Sequence, residues 1–307
     1  MGAIAEVNRG QSKGGFRSRE HPHLTGWAFV APSVFLLVVF GLIPIVWSVL
    51  LSFQQNDLLG TSKFIGLANY RRMVHDPAVS SAIGHTLTYT FLFVPISVFL
   101  ALFVAVALNR RIWFMKFYRT AVFIPLITST IATAIIWSWL LDRDFGIVNY
   151  VLSLVHIAPQ GFFQSPTQAL NSVVAMTVWG WLGFDVIIYL AALQGVPREL
   201  TEAAEIDGAS SWSIFRSITL PLVAPATLFL IVWGTINALQ LFDEVYQTTN
   251  GGPLGATTVL VFYLFQSAFR NFEAGYAAAV AILVFVGILV ITVVQLWVGK
   301  KTVYYQS

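Results

Sequence analysis

The chain has 307 residues, 57% of them hydrophobic and only 10% charged, with a formal net charge of +3 and no cysteine. So little charge excludes an ordinary water-soluble domain of this size and makes spanning apolar segments the default. The missing cysteines exclude disulfides, thiolate metal sites and a cysteine nucleophile, and membrane topology accounts for the small positive excess without any nucleic-acid partner.

In chain order, residues 1–26 form a polar, basic N-terminal tail suited to an anionic leaflet. About 20 apolar residues cross the hydrocarbon core, which predicts six spans at 27–53, 86–108, 120–141, 170–194, 225–242 and 275–298. Backbone groups in lipid must be satisfied within the segment, so these are helices and the fold class is an all-α polytopic membrane protein. The first run is too long for a signal peptide and lacks a cleavage signature, so it is expected to be retained. Residues 54–84 form an external loop with a short helix near 70–74, and 142–167 a second one with an interfacial helix at 146–155. Residues 243–256 are rich in turn signals, including Asn250-Gly251-Gly252-Pro253. Residues 257–269 read as a lateral or re-entrant helix, because Arg270 and Glu273 interrupt the apolar run.

Six spans place both termini on one side. With the N-terminus inside, twelve lysines and arginines fall in cytoplasmic segments, among them Arg9, Lys13, Arg17, Arg19, Arg110 and Arg111, and five fall outside. The asymmetry favours cytoplasmic termini, a cytoplasmic tail at 299–307 and a bacterial-type cytoplasmic membrane location. His21, His23, His75, His85 and His156 are expected outside the spans and lack metal-ligand spacing, so no metal or catalytic site is predicted.

The most informative segment is 197–224, a polar insertion between the fourth and fifth spans. It reads as an amphipathic helix around Glu202, Ala203 and Ala204, a stop at Asp207-Gly208, and a second helix through Phe215 that ends at Leu220-Pro221. Gly208 suits the left-handed position after a helix and Pro221 marks return to the bilayer. Glu202 and Glu205 are expected near the helix start, where the dipole favours acids.

Glu202-Ala203-Ala204, Gly208, Phe215, Ile218, Leu220 and Pro221 together resemble the "EAA" loop of ABC-importer permease subunits, and within these the maltose and glycerol-phosphate permeases. The resemblance extends over about 26–301, through Phe64-Ile65-Gly66-Leu67-Ala68-Asn69-Tyr70, Leu193-Gln194, and Phe242-Asp243 followed by Gly251-Gly252-Pro253. It implies a type I importer permease fold over 27–298, with an ATPase contact made by Glu202, Ala203, Ala204, Asp207, Gly208, Ala209 and Phe215. It further implies a second related permease subunit, a pair of ATPase subunits and an external solute-binding protein. No GxxxxGK[ST] phosphate loop is present, so ATP and Mg²⁺ are assigned to the partner ATPases and no cofactor to this chain.

Candidates for a substrate path come from polar and aromatic groups within the spans. Asp185 is the only ionisable group deep in a predicted span, and such groups usually face a bundle interior or water. Thr177, Trp181, Asp185 and Tyr189 follow helical spacing, as do Trp233, Asn237 and Gln240, and Thr130, Thr133 and Trp137 form a third stripe. Carboxylates accept sugar hydroxyls and aromatic rings cover sugar C–H faces, so a sugar or polyol is expected. A buried carboxylate repels anions, which favours a neutral oligosaccharide over glycerol phosphate. The same polar groups can instead join helices, and in some heteromeric relatives of this family only one permease subunit holds the substrate. An ion-coupled carrier would also explain six spans and a buried acid, but not the structured loop.

Overall fold

The computed structural model describes residues 22–57, 60, 62–110 and 113–302. Of the expected tails at 1–26 and 299–307, residues 1–21 and 303–307 lie outside the described residues, as do His21 and Arg9, Lys13, Arg17, Arg19 and Arg111 of the charge count. The chain divides into two units, 1–47 and 48–307.

In the first unit α1 (Pro22–Leu37) runs into a π-turn over Val38–Leu42, and α2 (Ile43–Ser52) begins. Pro44 explains the wide turn. It has no N–H for the Phe40 carbonyl and its ring would collide with that carbonyl, so the helix loosens there and Ile43 N–H bonds Val38 O instead.

The second unit opens with a feature that an all-α expectation omits. Strands β1 (Gln54–Asn56) and β2 (Ser62–Phe64) form a short antiparallel hairpin with Gln54 opposite Phe64. α3 (Ala68–His75) follows, as expected near 70–74. Asn69 joins the two: its buried Nδ2 donates to the carbonyls of Ser52 and Gln54, both at 2.9 Å. Ser52 Oγ lies 2.7 Å from the Tyr70 hydroxyl.

α4 (Pro77–Leu108) starts well before the expected residue 86. Asp76 Oδ1 accepts the Ala78 N–H and Pro77 fills the first turn, an N-terminal cap that fixes the helix start regardless of hydropathy. His85 therefore lies inside a spanning helix, contrary to expectation, with Nδ1 3.1 Å from Thr258 O.

The expected third span at 120–141 is two helices, α5 (Met115–Ile127) and α6 (Thr130–Leu140), meeting at 108°. Pro125 sits in the last turn of α5, and Thr128 and Ser129 adopt non-helical angles. α7 (Ile147–Leu154) matches the interfacial helix, and α8 (Ala169–Gln194) matches the fourth span.

α9 (Arg198–Ile206) and α10 (Ser211–Ile214) form the inserted loop, followed by a π-turn over Phe215–Thr219, α11 (Leu220–Leu222) and α12 (Ala224–Leu239). Pro221 does not end the helix as expected; the preceding π-turn accommodates it. The 62° bend comes at Val223, because Pro225 offers no N–H to the Pro221 carbonyl. α13 (Asp243–Thr248), α14 (Leu260–Phe265), a π-turn over Gln266–Arg270 and α15 (Ala274–Thr302) complete the chain. Among the described residues, four helices are long and apolar enough to cross a bilayer, and the crossings number up to six if each of the two bent pairs is one span.

The core centres on α4 against α8. α4 buries Tyr89, Phe93, Ser97, Ala101 and Ala105 at four-residue spacing, and α8 answers with Val173, Thr177, Val186, Tyr189 and Leu193. α5 packs on α8 at Gly183, where an added Cβ would lie 2.8 Å from Val122 O. α12 packs on α4 and α15 on α12. At the end of the bundle where α4 begins, Asp76 Oδ2 accepts hydroxyl bonds from Tyr263 (2.7 Å) and Tyr276 (2.6 Å). Partial burial raises the Asp76 carboxyl, but these donors outweigh it and hold the group below the usual carboxylate range. Arg72 pairs bidentately with Glu273 and lies 4.1 Å over the Tyr276 ring.

Asn69→Ala leaves two backbone carbonyls without their donor and is expected to lower stability by about 1–3 kcal/mol. The thermal midpoint of the solubilised protein measures this, and an unchanged midpoint means the amide does not hold the hairpin to α3.

Candidate functional site

Two sites emerge, a projecting loop and a polar cleft. In the loop, α9 begins at Arg198 directly after Pro197, and its first-turn acid is Glu199. Glu202 and Glu205 thus lie in the second turn and near the C-terminus, not at the start as expected, and draw no support from the dipole. The end of α9 is closed tightly. Ala209 N–H reaches Ala204 O (2.9 Å), Gly208 N–H reaches Glu205 O (3.0 Å), and Gly208 has φ of +78°. This is the Schellman arrangement, which a side chain at residue 208 would strain. Ser210 Oγ then accepts Ser213 N–H to start α10, and Phe215 stacks on Trp212 at 5.6 Å.

No residue of α9 is buried, and Ile206 is 86% exposed. Glu202, Ala203, Asp207 and Gly208 are exposed, while Ala204, Ala209 and Phe215 are half-buried. The segment is a rigid rod whose acidic and small residues are available to a partner.

The cleft, about 400 Å³, lies where the α5–α6 break meets α4, α8, the end of α12 and the start of α13. Of the residues expected on a substrate path, Thr130, Thr133, Thr177, Trp181, Asn237 and Gln240 line it. The break has a use here: it puts Thr128 and Thr130 at the wall, and irregular backbone at membrane depth is tolerated where it borders a cavity.

Asp185 is elsewhere. It is 7% exposed, accepts a hydrogen bond from Ser97 Oγ, and borders a space of about 10 Å³ shared with Trp181, Trp233 and Asn237. That is at or below the ~10–15 Å³ a single water requires, so no sugar fits there in this conformation. Tyr189 is fully buried and donates to Thr227 Oγ1 at 3.0 Å. Trp233 stacks on Phe229, and Trp137 packs against Trp179 at 6.0 Å. The stripe through Thr177, Trp181, Asp185 and Tyr189 therefore divides: its first two members face the cleft and its last two lie between helices.

Sequence reasoning missed Tyr89, Asp243 and Glu244 as cleft residues. Burial pushes the Glu244 carboxyl above its ordinary value, and the neighbouring Asp243 charge adds to this. In sequence the acids belong to a segment rich in turn signals, and only the position of α13 against α6 and α8 brings them to the cleft.

Apolar helices of spanning length, a polar cleft within the second unit and a polar insertion between α8 and α12 define a membrane-embedded permease subunit. The chain belongs to the family of binding-protein-dependent transport system inner membrane components, whose model matches residues 77–304. It is 35% identical over 284 residues to the lactose transport system permease protein LacF of Rhizobium radiobacter, covering 91% of this chain and 95% of that one. It is 31% identical over 281 residues to the sn-glycerol-3-phosphate transport system permease protein UgpA of Agrobacterium fabrum, covering 91% and 96%. A chain in the crystal structure of a bacterial alginate ABC transporter, in complex with an alginate pentasaccharide-bound periplasmic protein, superposes with a TM-score of 0.81. Its identity is 23%, covering 89% of this chain and 93% of that one, a likeness of fold.

Ser97→Ala strips the buried Asp185 of its hydroxyl donor and is expected to cost about 1–3 kcal/mol of stability. Asp185→Asn, which keeps an acceptor for Ser97, is expected to cost less. Equal midpoints for wild type and Ser97→Ala would show that this bond does not join α4 to α8.

Proposed function

We propose that this chain forms one half of the translocation path of an ATP-driven importer for a neutral oligosaccharide or polyol. The observation that carries the proposal is mechanical continuity between rod and cleft. α8 enters the loop and α12 leaves it, and the same two helices supply Thr177, Trp181 and Asn237 to the cleft, with Gln240 directly after α12. Trp181 stands 13 residues before the end of α8, or about 20 Å along the helix axis. A displacement of the rod therefore reaches the cleft through α8, from which only residues 195–197 separate it, and through α10, the π-turn and α11 into α12.

Motive force comes from separate ATPase subunits, which bind ATP and Mg²⁺, since this chain carries no phosphate loop. Glu202, Ala203, Ala204, Asp207, Gly208, Ala209 and Phe215 form the coupling surface, and the small side chains allow close approach. A second, related permease completes the path, and an extracytoplasmic binding protein delivers the solute. The loop and both termini face the cytoplasm, and the membrane is the bacterial cytoplasmic membrane. The permease name of the Rhizobium relative and the periplasmic protein in complex with the alginate transporter support this arrangement.

The proteins it resembles are named for neutral and for anionic substrates alike, so the choice between them rests here on the groups that line the cleft. Its acids are Asp243 and Glu244, placed among threonines, amides and aromatic rings. Carboxylates there accept hydroxyls and repel anions. This moves the basis for expecting a neutral solute from Asp185 to α13.

Glu202→Ala and Gly208→Pro are expected to leave the complex assembled while largely abolishing stimulation of ATP hydrolysis by solute-loaded binding protein. Proline fixes φ near −65°, which the +78° of Gly208 does not permit. Stimulation that survives both changes rules out the coupling surface. Neutralising the cleft with Asp243→Asn and Glu244→Gln is expected to narrow discrimination between a neutral oligosaccharide and its uronate analogue by about tenfold, or ~1.4 kcal/mol. Unchanged relative uptake would place selection outside this cleft.

A further inference from the structure

We infer that a groove beside the inserted loop binds one anionic phospholipid. It lies between the second half of α4 and α10, encloses about 370 Å³, and is walled by Phe99, Phe103, Val106, Trp212 and Phe215, with Arg110 at one end. Three observations agree on the occupant.

The first is position. α4 is a spanning helix ending at Leu108, so Arg110 lies where hydrocarbon gives way to headgroups, while Phe99 lies nine residues before Leu108 and so deeper along the helix. The second is length. From Phe99 to Leu108 α4 rises about 14 Å, close to half of the ~30 Å hydrocarbon core and so to one leaflet. An acyl chain of that leaflet fills the groove along its length.

Charge is the third. Among the described residues no carboxylate pairs with Arg110, and its guanidinium is the one charged group on a channel whose lining is otherwise apolar but for Ser211, complementary to a lipid phosphate. Trp212, 68% exposed and stacked on Phe215, supplies the amphipathic ring typical of the interface. Because Trp212 and Phe215 belong to the loop assigned to ATPase coupling, the lipid contacts the moving part. The inference rests on the cytoplasmic placement of that loop.

The assembled complex, reconstituted in vesicles of equal phosphatidylcholine and phosphatidylglycerol and then extracted, can be assayed for retained lipid by native mass spectrometry. Wild type is expected to retain phosphatidylglycerol preferentially. Arg110→Gln should lower that retention about fivefold, the factor that ~1 kcal/mol per basic residue at an anionic surface gives. Val106→Trp, which fills the groove, should remove both lipids. Wild-type phosphatidylglycerol retention in Arg110→Gln overturns the inference. So does a photoreactive group at position 103 that cross-links to the second permease subunit and not to lipid. Bound lipid is the readout, so failure of the coupling assignment would appear separately, in stimulated hydrolysis.

Discussion

Everything else in the second unit is built on the close pairing of α4 with α8. Helices in lipid gain nothing from excluding water, so they associate where small side chains allow many van der Waals contacts and a few internal hydrogen bonds. Ser97, Ala101 and Ala105 supply the small surface on α4, and the Ser97–Asp185 bond supplies the polar clasp. Gly183 lets α5 pack against the other side of α8. α12 then covers α4, and α15 covers α12. The cleft is the space left above this pair where α5 turns away into α6.

Proline placement explains most of the irregular geometry. Pro44 and Pro221 each follow a π-turn that accommodates the missing donor, while Pro125 and Pro225 accompany sharp bends. Two of these irregularities shape the candidate sites: the bend after Pro125 borders the cleft, and the bend at Val223 aims α12 out of the inserted loop. Gly208 serves the loop in the same way, since its left-handed backbone sets the direction in which α10 leaves α9.

Much of the architecture was legible because a spanning helix needs a continuous apolar run, and such runs are hard to hide. The spans near α8, α12 and α15 were placed within a few residues, and the loop helices were recognisable from Glu202-Ala203-Ala204 and Gly208. What hydropathy concealed was local chemistry. Asp76-Pro77 begins α4 by capping, Thr128-Ser129 breaks the third crossing, and Asn69 organises a hairpin from residues that look like an arbitrary loop. The cleft was only half legible. Helical spacing grouped Trp181 with Asp185 and Tyr189, but spacing along one helix does not reveal which neighbour covers each turn. Glu244 gave no periodic signal at all, because its place in the wall depends on how the chain folds back after α12.

The length of α4 has an architectural consequence. Thirty-two residues extend about 48 Å, some 18 Å more than the ~30 Å hydrocarbon layer. The excess falls at the Pro77 end, where the sequence is least apolar, and there α3, the hairpin and the Arg72–Glu273 pair stand around it as a raised parapet. That surplus length of helix is held by protein rather than by lipid, since the Asp76 carboxylate before it is gripped by hydroxyls from both sides of the last inter-helix turn, Tyr263 and Tyr276.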